Sequence, residues 1–321
     1  MKIFYRDEIE EAVDYSAILK AIEESFSIYS QGEAVIPSPA ALHFEDPPGD
    51  CHIKYGFAKK GDYYVVKIAS GFSHNPQIGL PSNNGLMILF DKKTGETMAL
   101  LLDKGYLTDI RTAAAGAVTA KYLAPTNVTS IGIVGTGAQA FYQLQWLKFA
   151  TSCRQVMVWG RDAAKARQFC NHPDLQDFQM SVAKDLDELT ASCNLIVTTT
   201  TSAHPLLFAH QIRAGTHITA VGADDVGKQE LDPFIFTKAD HIFVDSRRQC
   251  ALVGDTSYAL QKGLIQEKQM IEIGEAILNP ELRRTSDDQI TIADLTGVAI
   301  QDLQIAIQAY QALDLINSQK D

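Results

Sequence analysis

Gly135-Thr136-Gly137-Ala138-Gln139-Ala140 follows a short apolar run at 130–134 and precedes a helical pattern over 141–149. Gly135 allows a tight turn, and Gly137 leaves no side chain in the way of a pyrophosphate. The helix behind them presents free N–H groups and the positive end of its dipole. Ala140 takes the third position of the G-x-G-x-x-G/A pattern. A strand before, a helix after and a second strand at 155–159 make this a dinucleotide loop rather than an inert strand–helix turn. That second strand runs into Gly160-Arg161-Asp162. In NAD enzymes a carboxylate at this strand end binds the ribose hydroxyls; here Gly160 stands there, and Arg161 next to it can grip a 2′-phosphate. The pattern leans to NADP(H), with Asp162 as the ribose acid the open alternative.

Three further residues suggest chemistry by their type and place. Arg111 is expected in the first turn of an Ala-rich helix over 108–123, capped by Thr108 or Asp109. Charge and dipole together favour an anion there. A cation in a first turn is locally unfavourable, which points to function. Asp224 follows the apolar run 217–221, at the carboxyl edge of a sheet where ligands bind. Lys67 interrupts the apolar stretch Tyr64-Val65-Val66-Lys67-Ile68-Ala69, although strand alternation alone would also put a lysine on a wet face. The eight histidines form no H-x-x-x-H pair, so no metal is expected. No nucleophile elbow supports serine hydrolysis.

The elements that must position these groups change period along the chain. Residues 14–31 read as a helix, with Ile18, Leu19, Ile22, Phe26 and Tyr29 at helical spacing and Gly32 as the stop. Strands follow at 52–57, 63–69, 85–90 and 97–103. From 129 on, apolar runs at 130–134, 155–159, 178–182, 195–199, 217–221 and 241–244 alternate with helical patterns, which means a parallel sheet. Residues 298–316 read as a long closing helix, with Ile300, Leu303, Ile307 and Leu313 apolar. The fold class is α/β: a Rossmann-type doubly wound parallel sheet over 125–297, plus a smaller α+β domain from 1–124 and 298–321. The 321 residues are 46% hydrophobic and 21% charged, an ordinary globular composition. A net charge of −11 leaves no basic surplus for nucleic acid. No apolar run is long enough to span a bilayer, and the N-terminus has no signal-peptide character. Five scattered cysteines without a C-x-x-C pair fit a reducing cytoplasm.

Several motifs, in order, resemble the ornithine cyclodeaminase/mu-crystallin family, which also includes ketimine reductases and an archaeal type of alanine dehydrogenase. They are the 107–114 stretch LTDIRTAA, the 135–140 loop with its Gln139, Val221-Gly222-Ala223-Asp224, Gly227-Lys228-Gln229-Glu230-Leu231, and Asp294-Leu295-Thr296-Gly297 with Gln301-Asp302. The resemblance implies a homodimer built through the N-terminal domain, an active site between two domains, and chemistry at the Cα–N bond of a small amino acid. It assigns catalysis to Asp224 and Lys67, with Asp224 moving protons at the nitrogen and Lys67 also contacting the substrate carboxylate. Arg111 matches the carboxylate arginine and Ser82 a substrate-contacting threonine. Gly135, Gly137, Ala138, Gln139, Arg161, Thr200, Lys228 and Thr296 fall to the cofactor.

One departure bears on the substrate. The family's further carboxylate-clamping arginine, shortly after the first proline, is replaced here by Pro39. Lys54 on the neighbouring strand is the expected substitute, a point charge without the bidentate fork. Three readings follow: an imine reductase or amino-acid dehydrogenase, which Arg161 and the lost arginine favour; an ornithine cyclodeaminase, which Asp224 and Lys67 also fit; and a non-catalytic NADPH-dependent binder, against which Asp224 argues.

Overall fold

The computed structural model describes residues 1–318. The chain divides into two compact units, residues 1–111 with 298 onward, and residues 112–297. The first unit opens with β1 (Lys2–Tyr5), α1 (Arg6–Ala12) and α2 (Tyr15–Ser30). Asp14 caps α2, accepting from Ser16 N at 2.8 Å and Ala17 N at 3.3 Å. Ile18, Ala21, Ile22 and Phe26 form its buried stripe. Then come β2 (Ala34–Val35), β3 (Ala40–Glu45), β4 (Pro48–Ala58), β5 (Tyr63–Gly71), β6 (Asn83–Asp91) and β7 (Thr97–Leu102). They make one sheet in the order β1-β7-β6-β5-β4-β2, with β3 on β4. Only the β1–β7 pair is parallel.

The helix α3 (Tyr106–Leu123) crosses from the first unit to the second. It begins earlier than its sequence suggests. The Asp103 carboxylate accepts the Leu107 N–H at 2.7 Å, so neither Thr108 nor Asp109 is the cap. Arg111 therefore lies in the second turn, and the argument from an unfavourable first-turn charge does not apply to it.

The second unit alternates β8 (Ile131–Val134), α4 (Ala138–Leu147), β9 (Gln155–Trp159), α5 (Ala163–Cys170), β10 (Gln179–Val182), α6 (Leu186–Ser192) and β11 (Leu195–Thr198). It continues through β12 (Ala203–Leu207), β13 (His217–Ala220), β14 (Gln229–Leu231), β15 (His241–Val244), α7 (Arg247–Cys250), α8 (Asp255–Gln261), β16 (Met270–Glu272), α9 (Ile273–Leu278) and β17 (Thr291–Asp294). Eight strands form an all-parallel sheet in the order β10-β9-β8-β11-β13-β17-β15-β16. All six expected runs contain a strand of this sheet; β17, between β13 and β15, and β16, at the edge beyond β15, are additions. The chain winds outward from β8 through β9 and β10, then resumes on the other side of β8 with β11. That places the switch point, where ligands bind in such sheets, at the carboxyl ends of β8 and β11. After β17 the chain returns to the first unit as α10 (Ala299–Ser318), which packs on α2 and across β4, β5 and β6. No helix among the described residues is long and apolar enough to cross a membrane.

Candidate functional site

In the second unit the loop after β8 has the shape its glycines require. Gly135 has φ +127°, and a Cβ there would come 2.5 Å from Thr199 Oγ1. Its N–H donates to Trp159 O at 2.8 Å, tying the loop to the end of β9. Gly137 is the N-cap of α4, and a Cβ on it would meet nothing within 4 Å. The approach to the first amides of α4 is thus open, as a pyrophosphate needs. Ala138 and Gln139 open that helix. A Cβ on Gly160 would lie 2.7 Å from Thr136 Cγ2, so the Thr136 side chain would have to turn aside. Asp162 caps α5, accepting from Ala164 N at 2.8 Å and Lys165 N at 3.2 Å, and those two donors hold its carboxyl below the usual range. Its recruitment as a cap leaves the exposed Arg161 as the free-standing feature of this turn.

Four consecutive strands of the sheet, β8, β11, β13 and β17, deliver Gly135, Thr200, Asp224 and Thr296 just past their carboxyl ends. Asp224 is half-exposed and forms an ion pair with Lys228 at 2.7 Å, four residues on. A buried carboxylate that sequence reasoning noted only within a motif, Glu230, fixes this edge. It accepts from Thr198 Oγ1 at 2.6 Å, Thr200 N at 2.5 Å and Gly222 N at 2.8 Å, so one side chain on β14 staples the ends of β11 and β13. Burial pushes Glu230 above its ordinary pKa, and those donors offset part of the rise. Thr296 is buried, and its hydroxyl donates to Asp245 Oδ1 at 3.0 Å. Asp245 Oδ2 also accepts from Thr296 N and Gly297 N, and Gln249 Nε2 reaches the carbonyls of both. The Thr296 side chain is therefore engaged within the protein.

In the first unit the sheet and α10 enclose a cluster of charges. Lys54 on β4 and Lys67 on β5 are directly paired in the antiparallel ladder, so both side chains lie on the same face. Lys67 shares the buried face of Val65, not the wet face that alternation left open. Like charges opposite one another need an anion, and Asp302 on α10 supplies it. Asp302 is fully buried, with Oδ1 3.0 Å from Lys67 Nζ and 2.9 Å from Arg111 Nε. Arg111 NH1 donates to Gln301 Oε1 at 3.1 Å. Burial lowers Lys67 to about 7; Asp302 works against that shift, while Arg111 and Lys54 add to it. Burial alone would raise Asp302, but Lys67, Arg111 and Lys54 outweigh it and hold the carboxyl below the ordinary range. Asp103, also buried, is pushed up to about 6 by burial despite its backbone donors and Lys67.

The first unit thus gathers Lys54, Lys67 and Arg111, and adds Asp302, which the sequence offered only as part of Gln301-Asp302. The signal was a polar pair inside an apolar stripe, between Ile300 and Leu303. Ser82 is exposed on the loop before β6, and its carbonyl accepts the Phe72 N–H. Among the described residues no hydrogen bond joins it to the cluster.

One unit with a Rossmann-like parallel sheet and an open dinucleotide loop, and another whose mixed sheet buries a lysine–arginine–carboxylate cluster, define an α/β dinucleotide-dependent enzyme. The family model for the ornithine cyclodeaminase/mu-crystallin family matches residues 2–315. An uncharacterized cyclodeaminase of Sinorhizobium fredii is 39% identical over 97% of this chain and 95% of that one. The structure of an archaeal alanine dehydrogenase dimer with bound NAD is 34% identical with a TM-score of 0.90, covering 99% of this chain and 97% of that one. That of Thermococcus litoralis Δ1-pyrroline-2-carboxylate reductase, in complex with NADH and L-proline, is 26% identical with a TM-score of 0.91 and covers 97% of each. The chain belongs to the ornithine cyclodeaminase/mu-crystallin family and is an NAD(P)-dependent oxidoreductase of it.

Proposed function

We propose that the protein is an imine reductase or amino-acid dehydrogenase acting at the Cα–N bond of a small amino or imino acid. The observation that carries this reading is the buried cluster of the first unit. With its groups ionised, Lys54, Lys67 and Arg111 face two carboxylates, Asp103 and Asp302, which leaves one positive charge for the carboxylate of a substrate. Similarity to alanine dehydrogenase and pyrroline-2-carboxylate reductase supports the same substrate class.

In this reading residues 112–297 hold the cofactor and the remaining residues hold the substrate and build a homodimer. Gly135, Gly137, Ala138 and Gln139 cradle the pyrophosphate, and Thr200, Lys228 and the Thr296 backbone adjoin the nicotinamide end. A bound nicotinamide supplies or accepts the hydride at Cα. Arg111, Lys54 and Ser82 orient the substrate. Asp224, poised by Lys228, takes and returns a proton at the nitrogen. Lys67, lowered to about 7, is matched to acid–base work near neutral pH. Arg161 in place of a ribose acid supports NADP(H) as the tighter cofactor, although the relatives' structures hold NAD(H). Five free thiols suit the cytoplasm.

Ornithine cyclodeamination is the second reading, favoured by Asp224 and by the Sinorhizobium relative. Turnover on ornithine, lysine, alanine, Δ1-pyrroline-2-carboxylate and pyruvate with ammonia, each with NAD(H) and NADP(H), separates the two. The first reading expects net cofactor turnover on the imino acids or alanine. Ammonia release from ornithine without net cofactor reduction would decide for the second.

A further inference from the structure

Asp302 does something in the first unit that no cation there can do for itself. Lys54 and Lys67 are cross-strand neighbours on a buried face, and Arg111 reaches the same place from α3. Without an anion the three would repel one another in a setting that screens little. Asp302 answers them from α10 with one atom: its Oδ1 meets both Lys67 Nζ and Arg111 Nε, while its Oδ2 is buried without a hydrogen-bond partner. The adjacent Gln301 holds the other end of Arg111. Two successive residues of one helix therefore set the position of a lysine on the sheet and an arginine on another helix.

We propose that Asp302 is a positioning residue of the reaction: it holds Lys67 and Arg111 in fixed relation and, through Lys67, governs the proton that the reaction moves. This rests on Lys67 being an acid–base group, as proposed above. In the reductive direction Asp224 gives the proton to the imine nitrogen, and the Lys67 ammonium replaces it through water. A bound NAD(P)H would supply the hydride to the imine carbon as the C=N π bond breaks, leaving an amine and the oxidised cofactor, and neutral Lys67 regains a proton from water. Oxidation runs the same steps backward.

The charged groups acting on Lys67 are Asp302 from α10, Arg111 from α3, Lys54 from β4 and Asp103 from the turn before α3. Asp302 is the stabilising partner at hydrogen-bond distance, and Lys54 and Arg111 oppose the ammonium. Removing the Asp302 charge must therefore move the Lys67 titration to lower pH.

The test uses the full-length protein with 13C,15N-labelled lysine, following Lys67 by NMR across pH, alongside the pH profile of kcat/KM with NAD(P)H and the imino acid that turns over. In Asp302→Asn the Lys67 titration and the matching limb of the profile should both fall by about one to three pH units, the range for losing an opposite charge at this distance. Asp302→Glu should bring both partway back. NAD(P)H affinity, set by the 135–140 loop, should stay as in the unmodified protein. Should Asp302→Asn not fold, Asp302→Glu carries the test, because it keeps the charge but displaces it and so lowers both curves by a smaller, equal amount. A Lys67 titration that ignores both variants would overturn the inference while leaving the role of Lys67 intact. A titration that moves while the activity limb stays would overturn it by removing Lys67 from the proton path.

Discussion

In the first unit Asp302 stands between Lys67 and Arg111 and is held ionised by them; in the second, Glu230, Asp255 and Asp294 lie buried together, and none of the three forms an ion pair among the described residues. Burial raises Asp294 to about 7, with Asp245 adding to the rise against the Thr256 donors. It also raises Asp255, with the charges of Asp294 and Glu230 adding to the effect. Asp255 Oδ1 accepts from Glu230 N and Leu231 N, and Asp294 Oδ2 from Thr256 N and Oγ1. The two regions solve one problem, the burial of carboxylates, by different means. Pairing with cations keeps charge available for a substrate. Backbone and hydroxyl donors turn the others into staples that shape the carboxyl edge of the sheet. The difference separates a carboxylate held charged by its neighbours from carboxyls that hold loops in place.

The largest expected effect lies on the chemistry. Asp224→Asn keeps shape but removes the base, and kcat should fall by about 10²–10⁴-fold while cofactor affinity holds. Arg111→Ala removes an anchor used in ground and transition states alike, so steady-state kinetics should show much of its effect in KM. Near-normal turnover of Asp224→Asn would return Asp224 to a loop residue. The next effect contrasts the clusters directly. Asp302→Ala strands buried cations and should cost about 3–5 kcal/mol in denaturant unfolding. Asp255→Asn puts an amide oxygen where burial already disfavours the charged carboxyl and keeps the acceptor for Glu230 N and Leu231 N, so it should cost no more than about 1 kcal/mol. Equal losses would erase the distinction.

A smaller effect is expected at the cofactor. Arg161→Ala should weaken NADP(H) by about ten- to a hundredfold, corresponding to about 1.5–3 kcal/mol for one charge-assisted contact, and leave NAD(H) as it was. Equal affinity of the unmodified protein for both cofactors would contradict it.

The pH dependence of local stability differs in sign between the clusters. Asp294, raised from 3.8 to about 7, binds more protons folded than unfolded between those values, so its contribution is lost as pH rises through that window. Lys67, lowered from 10.5 to about 7, binds fewer protons folded, so stability is gained as pH rises from about 7 toward 10. Hydrogen exchange, corrected for its intrinsic rate, should show falling protection at 291–297 between about pH 4 and 7. It should show rising protection at 64–69 between about pH 7 and 10. Parallel trends would contradict the assignment.

Much of this is legible in the sequence, and the exceptions have physical causes. Long periodic segments such as α2 and α10, and the glycine loop between β8 and α4, declare themselves because period and turn chemistry agree. β17 escapes notice because Thr291-Ile292-Ala293-Asp294 is four residues long and follows a polar stretch, and tertiary pairing with β13 and β15 makes it a strand. β3 is hard to see beside Pro37, Pro39 and Pro47. The start of α3 is hidden in the sequence because Asp103 caps it from outside the helical pattern. Lys67 and Arg111 were readable as chemistry, but Asp302 and Glu230 were not singled out. Their importance lies in contacts across long sequence separations, Lys67 to Asp302 and Thr198 to Glu230, that no local period encodes.

The central claim, hydride transfer at the Cα of a small imino acid held by the cations of the first unit, is tested most directly by isotope transfer. The protein is supplied with NAD(P)H deuterated at C4 of the transferred face, together with Δ1-pyrroline-2-carboxylate or pyruvate and ammonia, and the product amino acid is read by mass spectrometry and NMR. The account predicts one deuterium at Cα per cofactor oxidised, with the rate strongly reduced in Arg111→Ala. Product without deuterium at Cα, or ornithine converted to proline and ammonia with no net cofactor oxidation and no transfer to any imino acid, would contradict it.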